Sequence, residues 1–139
     1  MYLLTLLKRC LLGVGLLSSL LVTQPAAGHN QCSNANNVEV KQGYVMLPCC
    51  LESGLKSERS RKALENYRVK NGSSGDRQLY WLDFDGERVE QEWTLMNPGG
   101  RSSFGRTFSG HAFVIADLNG ACKSIALVTG RTNQLLITD

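Results

Sequence analysis

Turn signals recur along the second half of this chain at intervals too short for long helices. Asp85-Gly86, Asn97-Pro98-Gly99-Gly100, Asn119-Gly120 and Thr129-Gly130 punctuate it. Glycine takes positive φ at no steric cost, Asn and Asp tolerate it, and Pro cannot continue a hydrogen-bonded ladder. Between the turns the side chains alternate. Leu79, Trp81 and Asp83 interleave with Tyr80, Leu82 and Phe84, and Val89, Gln91, Trp93 and Leu95 alternate after the first turn. A period of two is the signature of a strand. His111 to Leu118 is apolar on both faces, Ala121 to Val128 follows, and Gln134 to Thr138 closes the chain. We read Asp85-Gly86 and Asn119-Gly120 as two-residue hairpin turns. Short strands with regular turns predict an all-β sandwich. Strand order does not follow from turns alone.

The first 28 residues are of a different kind. They hold ten of the 21 leucines in the 139-residue chain, with Lys8 and Arg9 ahead of an apolar run from Cys10 to Val22. Ala26-Ala27-Gly28 supplies the small side chains of a cleavage site. Residues 1–28 are therefore expected to be a secretory signal peptide, with an uncleaved membrane anchor as the alternative. Cleavage removes two basic residues, taking the formal net charge from +3 to near neutrality. Nucleic-acid binding, which needs clustered basic surface, is not expected. Nor is membrane attachment once the signal is gone; the mature protein is expected to be extracellular and monomeric.

Secretion makes the cysteines legible. Cys32, Cys49, Cys50 and Cys122 remain after cleavage, an even number in an oxidising compartment. Adjacent cysteines rarely bridge one another. One of Cys49 and Cys50 is expected to pair with Cys32 and the other with Cys122. Zinc binding is the weaker alternative, because no Cys-x-x-Cys spacing occurs. No cofactor or metal is expected.

Residues 29–62 read as a polar lead-in with one short apolar piece, Tyr44 to Leu47, that can form a strand. Residues 60–70 are ambiguous between a helix start and a strand, and Asn71-Gly72 follows as a turn. Asn71-Gly72-Ser73 also matches the N-glycosylation acceptor triplet, making Asn71 a candidate acceptor.

The run from Leu79 to Arg88, followed by Thr94-Leu95, Pro98-Gly99, Thr107-Phe108, Gly110-His111, Phe113 and Asp117, resembles the β domain of the von Hippel–Lindau tumour suppressor family. Asn119-Gly120 with Cys122, and Gly54 to Ser57, are similar to secreted, stand-alone members of that family. The resemblance spans roughly residues 54–139. It implies a β-sandwich of about seven strands, and makes residues 63–70 a strand. On this reading residues 29–53 are a disulfide-tethered N-terminal extension and 54–139 the sandwich. The tumour suppressor's helical ligase-docking domain has no counterpart before Asp139, so the ligase role is not carried over.

The resemblance also implies a hydroxyproline site. Trp81 matches its aromatic floor and His111 the histidine that hydrogen-bonds the ligand hydroxyl. Thr107 keeps a hydroxyl where the family has serine or threonine. Phe113 stands where the family has tryptophan, and Phe108 where it has tyrosine. The family's pocket tyrosine falls on Gln91 or Glu92, with Trp93 adjacent. Aromatic walls suit a proline ring. Buried polar groups reject an analogue without the hydroxyl by about 1–3 kcal/mol. His111 and Phe113 lie two apart, so they share a face.

Each of these residues also has a plain structural role. Trp81 and Trp93 fit a core, His111 fits a hydrogen-bonded strand start, and Thr107 fits an ordinary strand. Asp83, Asp85 and Glu87 flank a tight turn and lack an EF-hand pattern. His29 is incidental near the expected new N-terminus. No phosphate-cradling glycine loop or Gly-x-Ser-x-Gly elbow occurs, and Ser109 is too near His111 to serve as its nucleophile. An enzyme is not expected. The expected function is a secreted binding module for a protein or peptide, with hydroxyproline as the candidate ligand. The alternative is a structural or carbohydrate-binding module that keeps the sandwich and not the pocket.

Overall fold

A computed structural model describes residues 38–91, 95–130 and 133–139. The signal segment, His29, Cys32, Glu92 and Trp93 lie outside the described residues. The described residues are all-β apart from one 3₁₀ helix. In order it forms β1 (Glu39–Lys41), β2 (Tyr44–Leu47), the 3₁₀ helix (Cys49–Gly54), β3 (Ala63–Asn71) and β4 (Gln78–Leu82). Then come β5 (Arg88–Glu90), β6 (Arg101–Phe108), β7 (Ala112–Ala116), β8 (Cys122–Val128) and β9 (Gln134–Ile137). A six-stranded sheet runs β1-β2-β8-β7-β4-β5, and a three-stranded sheet runs β6-β3-β9. All pairings are antiparallel except β3 with β9.

Nine strands are present among the described residues, against the seven or so expected. Two of them, β1 and β2, lie in the segment read as a tethered extension. β2 pairs residue for residue with β8, from Tyr44↔Val128 to Leu47↔Ile125. Residues 39–47 are thus members of the larger sheet and not an appendage to it. The β8 edge would otherwise expose a row of unpaired backbone groups.

The two sheets share one buried cluster. Tyr44, Leu79, Phe113, Ile115, Ala126 and Val128 come from the larger sheet, and Tyr67, Val69, Leu135 and Ile137 from the smaller. Tyr44 fastens the sheets at one end, because its hydroxyl donates to the Leu136 carbonyl at 3.1 Å and accepts from the Leu136 N–H at 3.2 Å. A second cluster covers the other face of the larger sheet. There Leu82, Ala112, Val114 and Ile125 pack against Leu47, Leu55 and Leu127. β7 is therefore buried at all five residues, as its two-faced apolar pattern requires.

The segment that covers this second face is held in three ways. Cys49 is bonded to Cys122 across 73 residues of sequence; Cys50 is also disulfide-bonded. Glu52 makes a two-pronged ion pair with Arg88 of β5. Ser57, buried, accepts from the Ala112 N–H at 2.9 Å and donates to the Leu82 carbonyl. Disulfides belong to oxidising compartments, so the bond is compatible with an extracellular protein. No helix among the described residues is long and apolar enough to cross a membrane.

The expected hairpin turns are present, but their geometry differs from the two-residue form. In both, an aspartate three residues before the glycine holds the loop. Asp83 Oδ1 accepts from the backbone N–H of Asp85, Gly86 and Glu87 at 2.8–2.9 Å. Asp117 Oδ1 accepts from Asn119 and Ala121 at 2.9 and 3.0 Å. Only the glycines take positive φ, Gly86 at 95° and Gly120 at 79°. A two-residue type I′ turn would need positive φ at Asp85 and Asn119 as well, and the aspartate bonds favour a wider loop. The acidic cluster is thus turn chemistry. Those bonds, led by the Glu87 N–H, hold the Asp83 carboxyl below the usual carboxylate range.

The candidate glycosylation acceptor Asn71 lies inside the fold. Asn71 is fully buried, its Nδ2 donates to the carbonyls of Gly75 and Met96, and its Oδ1 accepts from the Ser73 N–H and hydroxyl. The amide organises the loop after β3, and a glycan on that nitrogen does not fit the folded chain.

Candidate functional site

The site begins with a change of phase in the smaller sheet. Asn66 lies in the left-handed region at φ 53°, the only non-glycine residue to do so among those described. The ladder runs Leu64↔Thr107, Glu65↔Arg106, then Tyr67↔Phe104. Strict alternation would put residues 64 and 67 on opposite faces. The left-handed Asn66, with Gly105 at the matching place on β6, turns both strands by an extra step. Leu64, Thr107, Tyr67 and Phe104 all come to face inward. Without that step the Thr107 hydroxyl would point to solvent.

A tight turn then carries the chain from one sheet to the other. β6 ends at Phe108 in the smaller sheet, and β7 begins at Ala112 in the larger. The His111 N–H donates to the Phe108 carbonyl at 3.1 Å, and Gly110 takes φ 89°. A side chain on Gly110 would also meet the Glu58 side chain at 3.0 Å. The turn folds the His111 ring onto Phe108, with centroids 5.3 Å apart. It leaves Thr107 Oγ1 3.3 Å from His111 Nδ1.

The larger sheet supplies the other wall. Trp81 and Phe113 are directly opposite each other on β4 and β7. The Trp81 ring lies 5.4 Å from His111, and Phe113 lies 6.5 Å from His111 and 5.5 Å from Phe104 across the core. Phe84 stands edge-on to Trp81 at 5.2 Å and lies 6.0 Å from His111. The Arg59 guanidinium covers the outer side of Phe84, 4.2 Å from its centroid, a cation–π contact. Residues 57 and 58 bridge the segments that end β4 and precede β7 beside this cluster. The Ser57 N–H donates to the Asp83 carbonyl at 3.0 Å and the Glu58 N–H to the Gly110 carbonyl at 2.9 Å.

The four sequence-predicted residues, Trp81, Thr107, His111 and Phe113, are thus brought into one cluster. Their exposure is uneven. Trp81 and His111 are half-buried, whereas Phe113 is 4% and Thr107 2% exposed. Gln91 sits just beyond edge strand β5, and no aromatic ring occupies that residue. Burial holds the His111 imidazole below its ordinary pKa, so the ring is neutral at neutral pH. A neutral imidazole has one donor and one acceptor nitrogen. The indole N–H of Trp81 is buried without a hydrogen-bond partner among the described residues. The cluster therefore combines flat apolar faces, a hydroxyl–imidazole pair and one unanswered donor.

Phe84, Phe104 and Ser57 were not anticipated as part of this neighbourhood. Strand alternation places Phe84 opposite Trp81. The chain leaves β4 after Leu82, and the Asp83-held turn swings Phe84 back. Phe104 arrives through the phase change at Asn66. A left-handed Asn leaves no distinctive mark in sequence, so alternation alone could not have placed it. No group of three or more metal-ligating side chains comes together among the described residues. Compared with models of known protein families the chain matches none, and no curated protein matches it.

Proposed function

We propose that this chain is a secreted, non-catalytic module that binds an extended protein or peptide segment at the Trp81–His111 cluster. Its candidate anchor is hydroxyproline, and the family whose site it resembles is the von Hippel–Lindau β domain. One observation carries the reading. Trp81, His111 and Phe113 present aromatic faces beside a Thr107 hydroxyl 3.3 Å from the His111 imidazole. A proline ring stacks on such faces, and a 4-hydroxyl needs a donor and an acceptor at fixed depth. Titration calorimetry with matched hydroxyproline and proline peptides tests it. The expected preference for the hydroxylated peptide is about tenfold or more, lost in His111→Ala. Equal affinity for both peptides overturns the hydroxyproline assignment.

A second reading is favoured by the burial of Thr107 and by Phe84 and Phe108 packing on His111. Here the rings satisfy one another, and the cluster is a structural joint between the sheets of a module that binds elsewhere. This reading expects His111→Ala to lower stability while leaving partner binding unchanged.

A further inference from the structure

The charge of this chain is near balance, yet the fold does not spread it evenly. On the outer face of the three-stranded sheet, Lys70 of β3 lies directly opposite Arg101 of β6. Arg68, two residues along the same strand, lies between Ser103 of β6 and Gln134 of β9. These residues line an open groove of about 540 Å³. Tyr67 and Val69, which alternate with them, are buried in the shared core. The groove is therefore on the face turned away from the core.

The cations are arranged against the interest of the sheet. Like charges directly opposite on an antiparallel pair are destabilising, and opposite charges are stabilising. The same ladder shows the favourable choice five residues earlier, where Glu65 faces Arg106 and the two form an ion pair at 2.7 Å. At Lys70↔Arg101 the choice is the unfavourable one. Among the described residues, none of Arg68, Lys70 and Arg101 takes part in an ion pair. No fold-stabilising role accounts for three cations gathered here, whereas an anionic ligand would.

We propose that this groove binds a sulfated linear polysaccharide. The anion's charge answers Arg68, Lys70 and Arg101, and guanidinium groups match the oxygens of an ester sulfate as they match phosphate. The Ser103 hydroxyl is of the type that bonds sugar hydroxyls. Two features favour this ligand over other polyanions. Among the described residues no aromatic side chain lines the groove, so a single-stranded nucleic acid would find no described ring to stack on. The groove lies on a sheet face and not along an edge, so an acidic peptide gains no main-chain ladder there.

The test is binding of the folded protein to a size-defined heparin oligosaccharide by surface plasmon resonance, across a salt series. Wild type should bind, and the N- and O-desulfated oligosaccharide should not. The triple variant Arg68→Gln, Lys70→Gln, Arg101→Gln should lose about tenfold or more in affinity and flatten the salt dependence by about two to three contacts. Arg61→Gln, an exposed cation outside the groove, is the control for lost charge and should change affinity less than about twofold. Thermal unfolding supplies the second measurement. Removing the like-charge opposition should leave the Tm of Lys70→Gln equal to or above that of wild type. Binding that persists in the triple variant, falls equally in Arg101→Gln and Arg61→Gln, or is stronger for single-stranded DNA of matched charge overturns the proposal. So does an absence of heparin binding by wild type. A clear drop in Tm for Lys70→Gln overturns the argument on which it stands.

Discussion

Thr107 lies near the end of β6 in the smaller sheet and His111 in the turn just before β7 of the larger, and Thr107 Oγ1 and His111 Nδ1 stand 3.3 Å apart. The four-residue turn from Phe108 to His111 makes this meeting, with Gly110 taking the one backbone conformation in it that a side chain resists. The joint between the sheets and the candidate ligand site are therefore the same place. Substitutions there bear on stability and on recognition together, and must be chosen to separate the two.

The pair gives a pH signature. Burial lowers the folded-state pKa of His111, so the unfolded chain binds its proton at a higher pH than the folded chain. Stability from the neutral ring is complete above the ordinary histidine value of about 6.5 and is lost as pH falls through the folded-state value. An NMR titration should place the His111 midpoint below that of a free histidine. The His111→Gln variant should lose this part of the pH dependence of chemical unfolding. An identical pH profile for the two proteins would contradict the assignment. Peptide binding at the cluster should weaken over the same interval.

Ser57 fastens the covering segment to the centre of the larger sheet. Its hydroxyl answers the Ala112 N–H and the Leu82 carbonyl, both on strands it does not belong to. Ser57→Ala leaves two buried backbone groups unpaired and should cost about 2–4 kcal/mol. Urea unfolding should show a lowered midpoint with an unchanged slope. A loss below about 0.5 kcal/mol would mean that water or another group replaces the hydroxyl.

Tyr67 leads to the opposite outcome. Its ring is fully buried, and its hydroxyl has no hydrogen-bond partner among the described residues. Burial drives its pKa well upward, so the phenol stays neutral. Removing an unanswered buried polar group relieves desolvation without emptying the core. Tyr67→Phe should be neutral or stabilising by up to about 1 kcal/mol, whereas Tyr67→Ala should cost about 3–5 kcal/mol. Calorimetric Tm values check both, and a destabilised Tyr67→Phe would show that the hydroxyl is in fact answered.

The Cys49–Cys122 bond closes a loop of more than 70 residues. In the chain-entropy treatment such a loop is worth about 4 kcal/mol. The paired variant Cys49→Ser, Cys122→Ser should lose that amount, with the 3₁₀ helix and β5 loosening first because Glu52 and Arg88 depend on the same segment. Hydrogen exchange should show early loss of protection at Leu51 and Leu55, whose N–H groups bond within or at the end of that helix. Uniform loosening of the whole sheet would contradict this order.

Much of this architecture was legible in the amino-acid order, because strands and turns are local. Alternation marked β4, two-faced apolarity marked β7, and Tyr44 to Leu47 matched β2 to the residue. Four cysteines beyond a leader-like start predicted disulfides, and Cys49 and Cys122 form one. The residues proposed for the site, Trp81, Thr107, His111 and Phe113, converge in space. Other features depend on distant partners and had no local sign. The parallel pairing of β9 with β3, the inclusion of β1 and β2 in the larger sheet and the burial of Asn71 are of this kind. So is the opposition of Lys70 and Arg101, which exists only because of the register between β3 and β6. Sequence by itself determined where the chain extends and where it turns, since φ preferences and side-chain alternation act over a few residues. Tertiary structure decided which face of each strand is covered and which charges meet, since register is set by packing between segments far apart in the chain.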